Sequence, residues 1–134
     1  MVPSSVRPGL VFGTVLAFAT LRAVPSRACD CARPEPTPEQ AFEAAAVVAE
    51  GQVGEVRSQS FELVVEARHK GPARARVEVR NEGGSCGYRF AKGDHVLVYA
   101  GEAEGRFYVR QCAGTRVVFG ETARREAKRW AKVR

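Results

Sequence analysis

The sequence predicts a small, mainly β domain that is either a closed barrel or a sandwich. Short apolar stretches alternate with polar residues, and turns rich in Gly, Asn and Asp separate them. The alternation is clearest in residues 61–67, 77–80 and 107–110. Glycines inside the first predicted strand, Gly51 and Gly54, indicate the bulges or bends that a small barrel needs. We expect five or six short strands in all.

A short helix is predicted before the first strand. Thr37 is a helix-capping residue, Pro38 suits the first helical position and Gln40 completes a capping box. We therefore expect a helix over about residues 38–46, followed directly by the strand that begins at Val47.

A second helix is predicted at the carboxy-terminal end, where residues 121–134 form a basic segment after the barrel. Ala123, Ala127 and Trp130 fall on one stripe of this helix, so we expect Trp130 to pack against the barrel and the basic residues to be solvated. The alternative is a basic face that binds an anionic polysaccharide, a lipid surface or an acidic partner. The basic residues are Arg124, Arg125, Lys128, Arg129, Lys132 and Arg134.

Residues 1–28 have the three parts of an export signal. Arg7 supplies a short positive region, residues 10–21 are uncharged and mostly apolar, and Ser26-Arg27-Ala28 suits signal peptidase. The apolar run is shorter than the roughly 20 residues needed to cross a bilayer. We expect cleavage after Ala28 and a secreted or periplasmic protein. A buried helix, an uncleaved anchor and lipid attachment at Cys29 are the alternatives, although Ser26 and Arg27 do not suit a lipid-attachment site.

Removing the signal leaves 106 of the 134 residues, which is the size of one domain with a modest core. The signal holds three of the 21 basic residues and no acidic one, so the remaining net charge is +3. Most of that excess lies in the carboxy-terminal segment. We therefore expect no nucleic-acid partner, and we expect a monomer.

All four cysteines follow the predicted cleavage site. An even number in a short exported chain predicts two disulfides, and three pairings are open. A zinc site is the weaker alternative, because there is no C-x-x-C pair and neither His69 nor His95 has ligand spacing to a cysteine. The cysteines are Cys29, Cys31, Cys86 and Cys112.

We expect neither enzymatic activity nor a cofactor or metal of the protein's own. The sequence has no nucleophile–histidine constellation, no recognisable pair of carboxylates and no phosphate-binding glycine loop. Each histidine is expected to be an ordinary strand or loop residue.

Six short motifs, in this order and spacing, resemble the amino-terminal netrin-like domain of the tissue inhibitors of metalloproteinases, as a single-domain relative of bacterial type. The first is a Cys-x-Cys at the expected mature terminus. The resemblance covers about residues 29–115. The other motifs are TPEQAF at 37–42, AVVAEG at 46–51, SCGY at 85–88, VYAG at 98–101 and QC at 111–112.

The resemblance implies a five-stranded oligonucleotide/oligosaccharide-binding (OB) barrel over residues 29–120, with flanking helices. It also implies the disulfides Cys29–Cys86 and Cys31–Cys112. The implied activity is inhibition of a zinc metalloprotease: the free amine and carbonyl oxygen of Cys29 would chelate the catalytic zinc of the target and displace its water. The implied contact edge consists of Asp30, Cys31, Ala32 and Arg33, together with Gly83, Gly84 and Ser85.

Two positions depart from the family pattern. The family usually places Ser or Thr after its first cysteine, where this chain has Asp30, and a carboxylate is costly to desolvate in an apolar specificity pocket. Glu43 replaces a cysteine of the family's helix. The alternative function is therefore a non-inhibitory, exported netrin-like binding module.

Overall fold

Six strands and two α-helices make up the part of the chain that the computed structural model describes, namely residues 31–32 and 34–133 together with Gly9. Apart from Gly9, the predicted signal lies outside the described residues, and so do Cys29, Asp30, Arg33 and Arg134. In chain order the elements are α1 (Pro38–Ala44), β1 (Val47–Val56), β2 (Ser60–Lys70), β3 (Arg76–Glu82), a 3-10 turn (Gly84–Cys86), β4 (His95–Ala103), β5 (Arg106–Arg110), β6 (Arg116–Phe119) and α2 (Gly120–Trp130).

The first five strands close into a barrel. Neighbouring strands follow the order β1-β2-β3-β5-β4, and β4 pairs back with β1. The β3–β5 pair is parallel, whereas the other barrel pairs are antiparallel. β6 pairs only with β4 among the described strands. A closed, mainly β barrel with two flanking helices confirms the predicted OB-like fold class.

The glycines of β1 mark irregularities in its pairing with β2, as predicted. The register shifts between Glu50 and Gly51 and again between Val53 and Val56. A Cβ atom at Gly51 would overlap the backbone carbonyl of Val64, so the close approach of these two strands requires glycine there. The bulges let one long strand pair with β2 on one edge and β4 on the other.

The barrel interior is filled by alternate residues of the strands. Because side chains alternate between the two faces of a strand, each strand sends every second residue inward. Tyr88, Phe90 and Phe107 pack against this interior from its edges. The interior residues are Val47, Ala49, Val53, Phe61, Leu63, Val77, Val79, Val96, Val98, Ala100 and Val109.

A second apolar cluster lies outside the barrel, between β1, β4 and the two helices. The ring of Phe42 on α1 stacks on Trp130 of α2 with centroids 4.2 Å apart. The predicted apolar stripe of α2 is therefore buried, as Ala123 and Ala127 face β4 in the same cluster. The remaining members are Ala41, Ala45, Val48, Leu97, Tyr99 and Val118.

Both helices differ slightly from their predicted bounds. The capping box at Thr37 and Gln40 is present, but α1 ends at Ala44 instead of near residue 46. It ends early because the Ala46 amide, just before β1, donates a 2.9 Å hydrogen bond to the Ala100 carbonyl of β4 and so is not available to the helix. α2 begins at Gly120, directly after β6. No helix within residues 34–133 is long and apolar enough to cross a membrane.

Candidate functional site

A disulfide joins Cys31, in the segment before α1, to Cys112, in the loop between β5 and β6. Their Cα atoms are 5.2 Å apart, and 81 residues separate them in the chain. This bridge is one of the two that the family resemblance implied. It fixes the chain two residues after Cys29 to one end of the barrel.

The loop that carries Cys112 is itself held closed. The Thr115 hydroxyl accepts a 2.8 Å hydrogen bond from the Arg110 amide and donates one of 2.8 Å to the Arg110 carbonyl. Thr115 is buried, so these two bonds satisfy a polar side chain that would otherwise be costly to bury. Cys112 sits in the loop with a left-handed φ of 67°. The attachment point of the terminal segment is therefore a short, internally hydrogen-bonded loop.

A groove of about 590 Å³ lies beside the disulfide. Its walls come from the terminal segment, the first turn of α1, Tyr88 and the β5–β6 loop, and the bridge joins the first of these to the last. It offers mainly proline, backbone and aromatic surface, with one carboxylate, Glu35. The lining residues are Cys31, Pro34, Glu35, Pro36, Gln40, Tyr88, Cys112, Ala113, Gly114 and Thr115.

Tyr88 connects this groove to the predicted second part of the contact edge. The Asn81 side chain donates from Nδ2 to the Tyr88 carbonyl and accepts a 3.0 Å hydrogen bond from the Tyr88 amide at Oδ1. This pair of bonds closes the loop that contains Gly83 and Gly84. Burial and, to a smaller extent, the nearby Glu35 carboxylate raise the pKa of the Tyr88 hydroxyl, which is therefore a neutral hydrogen-bonding group at physiological pH.

The predicted edge residues Gly83, Gly84 and Ser85 lie at a tight 3-10 turn. Gly83 and Gly84 adopt left-handed φ values of 106° and 57°, which favour glycine at both positions. The amide of Cys86 donates a 2.9 Å hydrogen bond to the Gly83 carbonyl and so closes the turn. Gly83 and Gly84 are exposed, which leaves this part of the predicted edge accessible to a partner.

The structure describes only some residues of the predicted contact edge. Cys31 and Ala32 lie at the anchored start of the described chain, and Cys86 is also disulfide-bonded. Cys29, Asp30 and Arg33 lie outside the described residues, so the Cys29–Cys86 bridge and the zinc-chelating amine stay predictions. Between the two described parts of the edge, Tyr88 is the link, because it lines the groove and belongs to the loop that Asn81 closes.

A cluster of histidine and glutamate side chains was not foreseen from the sequence. His95 Nε2 on β4 lies 2.7 Å from Glu50 Oε1 on β1, and His95 Nδ1 lies 3.8 Å from Glu66 Oε2 on β2. His69 Nε2 approaches the other oxygen of Glu50 at 4.0 Å. Both histidines are strand residues, as expected. The sheet, however, places His95 beside Glu50, which lies 45 residues away in the chain. Within the described ranges no group of three or more His, Cys, Asp or Glu side chains is arranged to hold a metal ion.

No protein-family model and no curated protein matches the chain. The fold and the site define the class, which is a small OB-like barrel with its amino-terminal segment attached by a disulfide. The resemblance to the tissue inhibitors of metalloproteinases stays a prediction that rests on the sequence motifs.

Proposed function

We propose that this protein is an exported inhibitor of a zinc metalloendopeptidase, similar in mechanism to the tissue inhibitors of metalloproteinases. The observation that supports this most directly is the Cys31–Cys112 bridge, because it is one of the two pairings that the family resemblance implies. An inhibitor of this type needs its first residue held in a fixed position at one end of a rigid barrel. Attachment of Cys31 to the β5–β6 loop restricts the path of Cys29, two residues earlier.

The inhibitory groups in this proposal are the α-amine and carbonyl oxygen of Cys29. Together they take the position of the zinc-bound water that attacks the peptide bond, so hydrolysis stops. The amine has to be unprotonated to bind, and its reference pKa of about 7.7–8 makes this easily reached at neutral pH. Zinc favours the free base further, because a metal competes with the proton for the same lone pair.

The disulfides contribute to affinity by limiting motion before binding. A terminus that is already fixed loses little conformational entropy when it docks, so more of the interaction energy appears as affinity. Asp30 follows Cys29 and enters the specificity pocket of the target in this arrangement. Since desolvating a carboxylate is unfavourable without a partner, the proposed target has a basic or polar pocket at that position.

The experiment compares the protein that begins at Cys29 with a form that carries one additional alanine before it. Both forms are assayed against a panel of zinc endopeptidases that includes enzymes with basic specificity pockets, and circular dichroism checks that both are folded. We expect the extension to abolish inhibition, since the α-amine of the added residue no longer lies beside the fixed Cys29 carbonyl. Equal inhibition by the two folded forms would show that the proposed chelation is wrong.

A second candidate function is a non-inhibitory binding module that acts through the basic face of α2. The observation in its favour is the exposure of that face: the side chains of Arg124 and Arg129 are 50% and 55% exposed. Both nevertheless contact acidic residues, Arg124 with Glu121 at 3.7 Å and Arg129 with Glu39 at 2.7 Å. If this candidate is correct, the alanine added before Cys29 should leave partner binding unchanged. Charge reversal of four basic residues of α2 should abolish that binding, namely Arg124, Arg125, Lys128 and Arg129.

A further inference from the structure

We propose that a groove beside the β3–β5 pair binds an anionic oligosaccharide through its sulfate or carboxylate groups. The groove has a volume of about 380 Å³, which lies within the range of small-ligand sites. It is separate from the groove beside the disulfide, since the two share no lining residue. It is lined by Arg74, Glu78, Arg80, Gly105, Arg106 and Phe107.

The barrel topology brings the three arginines together from separate parts of the chain. β3 and β5 are the parallel pair of the barrel, and Arg80 lies opposite Tyr108 in their register. Val79 and Val109 belong to the barrel interior, so Arg80 on β3 points outward by alternation. Arg106 begins β5, and Arg74 comes from the connection between β2 and β3. The cluster therefore forms through strand pairing, and no single sequence motif contains all three arginines.

Two of the three guanidinium groups are available to a ligand. Within the described residues, Arg74 and Arg106 make no side-chain hydrogen bond and no ion pair, and Arg74 contacts only the Phe107 ring. The third, Arg80, has only a 3.7 Å approach to Glu82. Such exposed pairs are worth about 0–1 kcal/mol, so a ligand anion can readily replace the Glu82 carboxylate.

The acidic residue of the groove is partly neutralised from outside it. Glu78 Oε1 lies 3.5 Å from Arg57 Nη1, and both side chains are well exposed. Arg57 also pairs with Glu55 at 3.2 Å. The groove with these ion-pair partners thus has four arginines and three glutamates, so its net charge stays positive. Guanidinium groups bind sulfate and carboxylate oxygens through paired hydrogen bonds, so this arrangement selects an anionic ligand.

The single aromatic ring of the groove favours a saccharide over a single-stranded nucleic acid. Proteins that bind single strands use open aromatic faces on which bases stack. Here the Arg74 guanidinium lies 5.9 Å from the centroid of the Phe107 ring and occupies the position above it. A charged sugar needs no such open ring, because its oxyanions can bind the guanidinium groups directly.

The test is a titration of the exported protein with three probes of known composition. They are a heparin-derived hexasaccharide, an unsulfated hexasaccharide of uronic acids, and a single-stranded DNA dodecamer. We expect saturable binding of a saccharide, and the stronger of the two saccharides identifies sulfate or carboxylate as the preferred group. Tighter binding of the DNA, or no saturable binding of either saccharide, would overturn the proposal.

Matched variants locate the site. We expect Arg74→Ala with Arg106→Ala to weaken saccharide binding about tenfold or more, because two charge-assisted contacts are lost. The control is Arg124→Ala with Lys128→Ala on α2, which removes the same charge and is expected to change the affinity less than about twofold. An equal or larger loss in the α2 variant would contradict the assignment. Should the groove variant not fold, Glu78→Gln serves instead: tighter binding is expected, and unchanged or weaker binding would contradict the assignment.

Discussion

The Tyr99 hydroxyl, on β4, donates a 2.7 Å hydrogen bond to the Glu126 carboxylate on α2. Trp130 Nε1 donates a hydrogen bond of 2.7 Å to the same hydroxyl, and Arg116 binds both oxygens of Glu126 at 2.9 Å. Tyr99, Glu126 and Trp130 are all buried, so this network is the polar centre of the interface between the barrel and α2. It fixes the helix in one position, since each buried polar atom in it has a partner.

Replacing Glu126 by Ala is expected to lower the free energy of unfolding by about 2–4 kcal/mol. The change leaves the Arg116 guanidinium and the Tyr99 hydroxyl without their acceptor in a largely buried place. Urea denaturation followed by circular dichroism measures this. Glu121→Ala is the control on the same helix: its carboxylate makes only an exposed contact with Arg124, and a loss below about 0.5 kcal/mol is expected. Similar losses for the two variants would contradict the role given to Glu126.

The same network predicts the effect of acid on stability. Burial alone would raise the pKa of Glu126, but hydrogen bonds from Arg116 and Tyr99 outweigh it and hold this pKa below its usual value. Because the folded-state pKa is the lower one, the stabilisation is complete above the unfolded value of about 4.3 and is lost as the pH falls through the folded value. Melting temperatures between pH 7 and pH 2 should fall more steeply for the wild type than for Glu126→Gln. Parallel curves would contradict the assignment.

The two glycines of β1 give a matched pair of variants. A Cβ at Gly51 would meet the Val64 carbonyl, which is part of the backbone and cannot move aside, whereas a Cβ at Gly54 would meet the flexible Glu62 carboxylate. We expect Gly51→Ala to destabilise the barrel by about 3 kcal/mol or more, and Gly54→Ala by about 1 kcal/mol or less. Denaturant midpoints measure both. A larger effect at Gly54 would mean that the bulge is not the constraint described.

The Cys31–Cys112 bridge is expected to contribute to both stability and inhibition. Loop-closure entropy gives a contribution of roughly 4 kcal/mol for a loop of this length. We expect Cys31→Ala with Cys112→Ala to melt at lower temperature and, where still folded, to inhibit the target protease more weakly. Thermal denaturation gives the melting temperature of each form, and inhibition assays carried out below both melting temperatures separate the two effects. Undiminished inhibition by the folded variant would contradict the fixed position of Cys29.

The fold was predictable because its determinants are local. Alternation along β2 and β3, the capping box at Thr37 and the glycines of β1 each depend on residues a few positions apart. The disulfide Cys31–Cys112 was one of three pairings that the residues left open, and only the family resemblance selected it. The chemical rule that two cysteines pair does not say which two.

The polar networks could not be predicted, because they join residues that only the barrel brings together. From the sequence alone, Glu126 would be predicted to be a charged residue on the helix surface. Only the folded structure places Arg116 and Tyr99 beside it. His95 and Glu50 meet across β1 and β4, 45 residues apart. The three arginines of the β3–β5 groove are similarly scattered in sequence.

The central claim is that the exported protein begins with an unmodified Cys29 whose amine is free to bind the zinc of a target. Mass spectrometry of the intact and proteolysed protein, recovered without reduction after export, tests this most directly. We predict a mature chain that starts at Cys29, has no added acyl group and yields peptides joined as Cys29–Cys86 and Cys31–Cys112. A chain that starts at another residue, or one with a lipid on Cys29, would contradict the inhibitory mechanism and leave the OB-like barrel as the part of the account that stands.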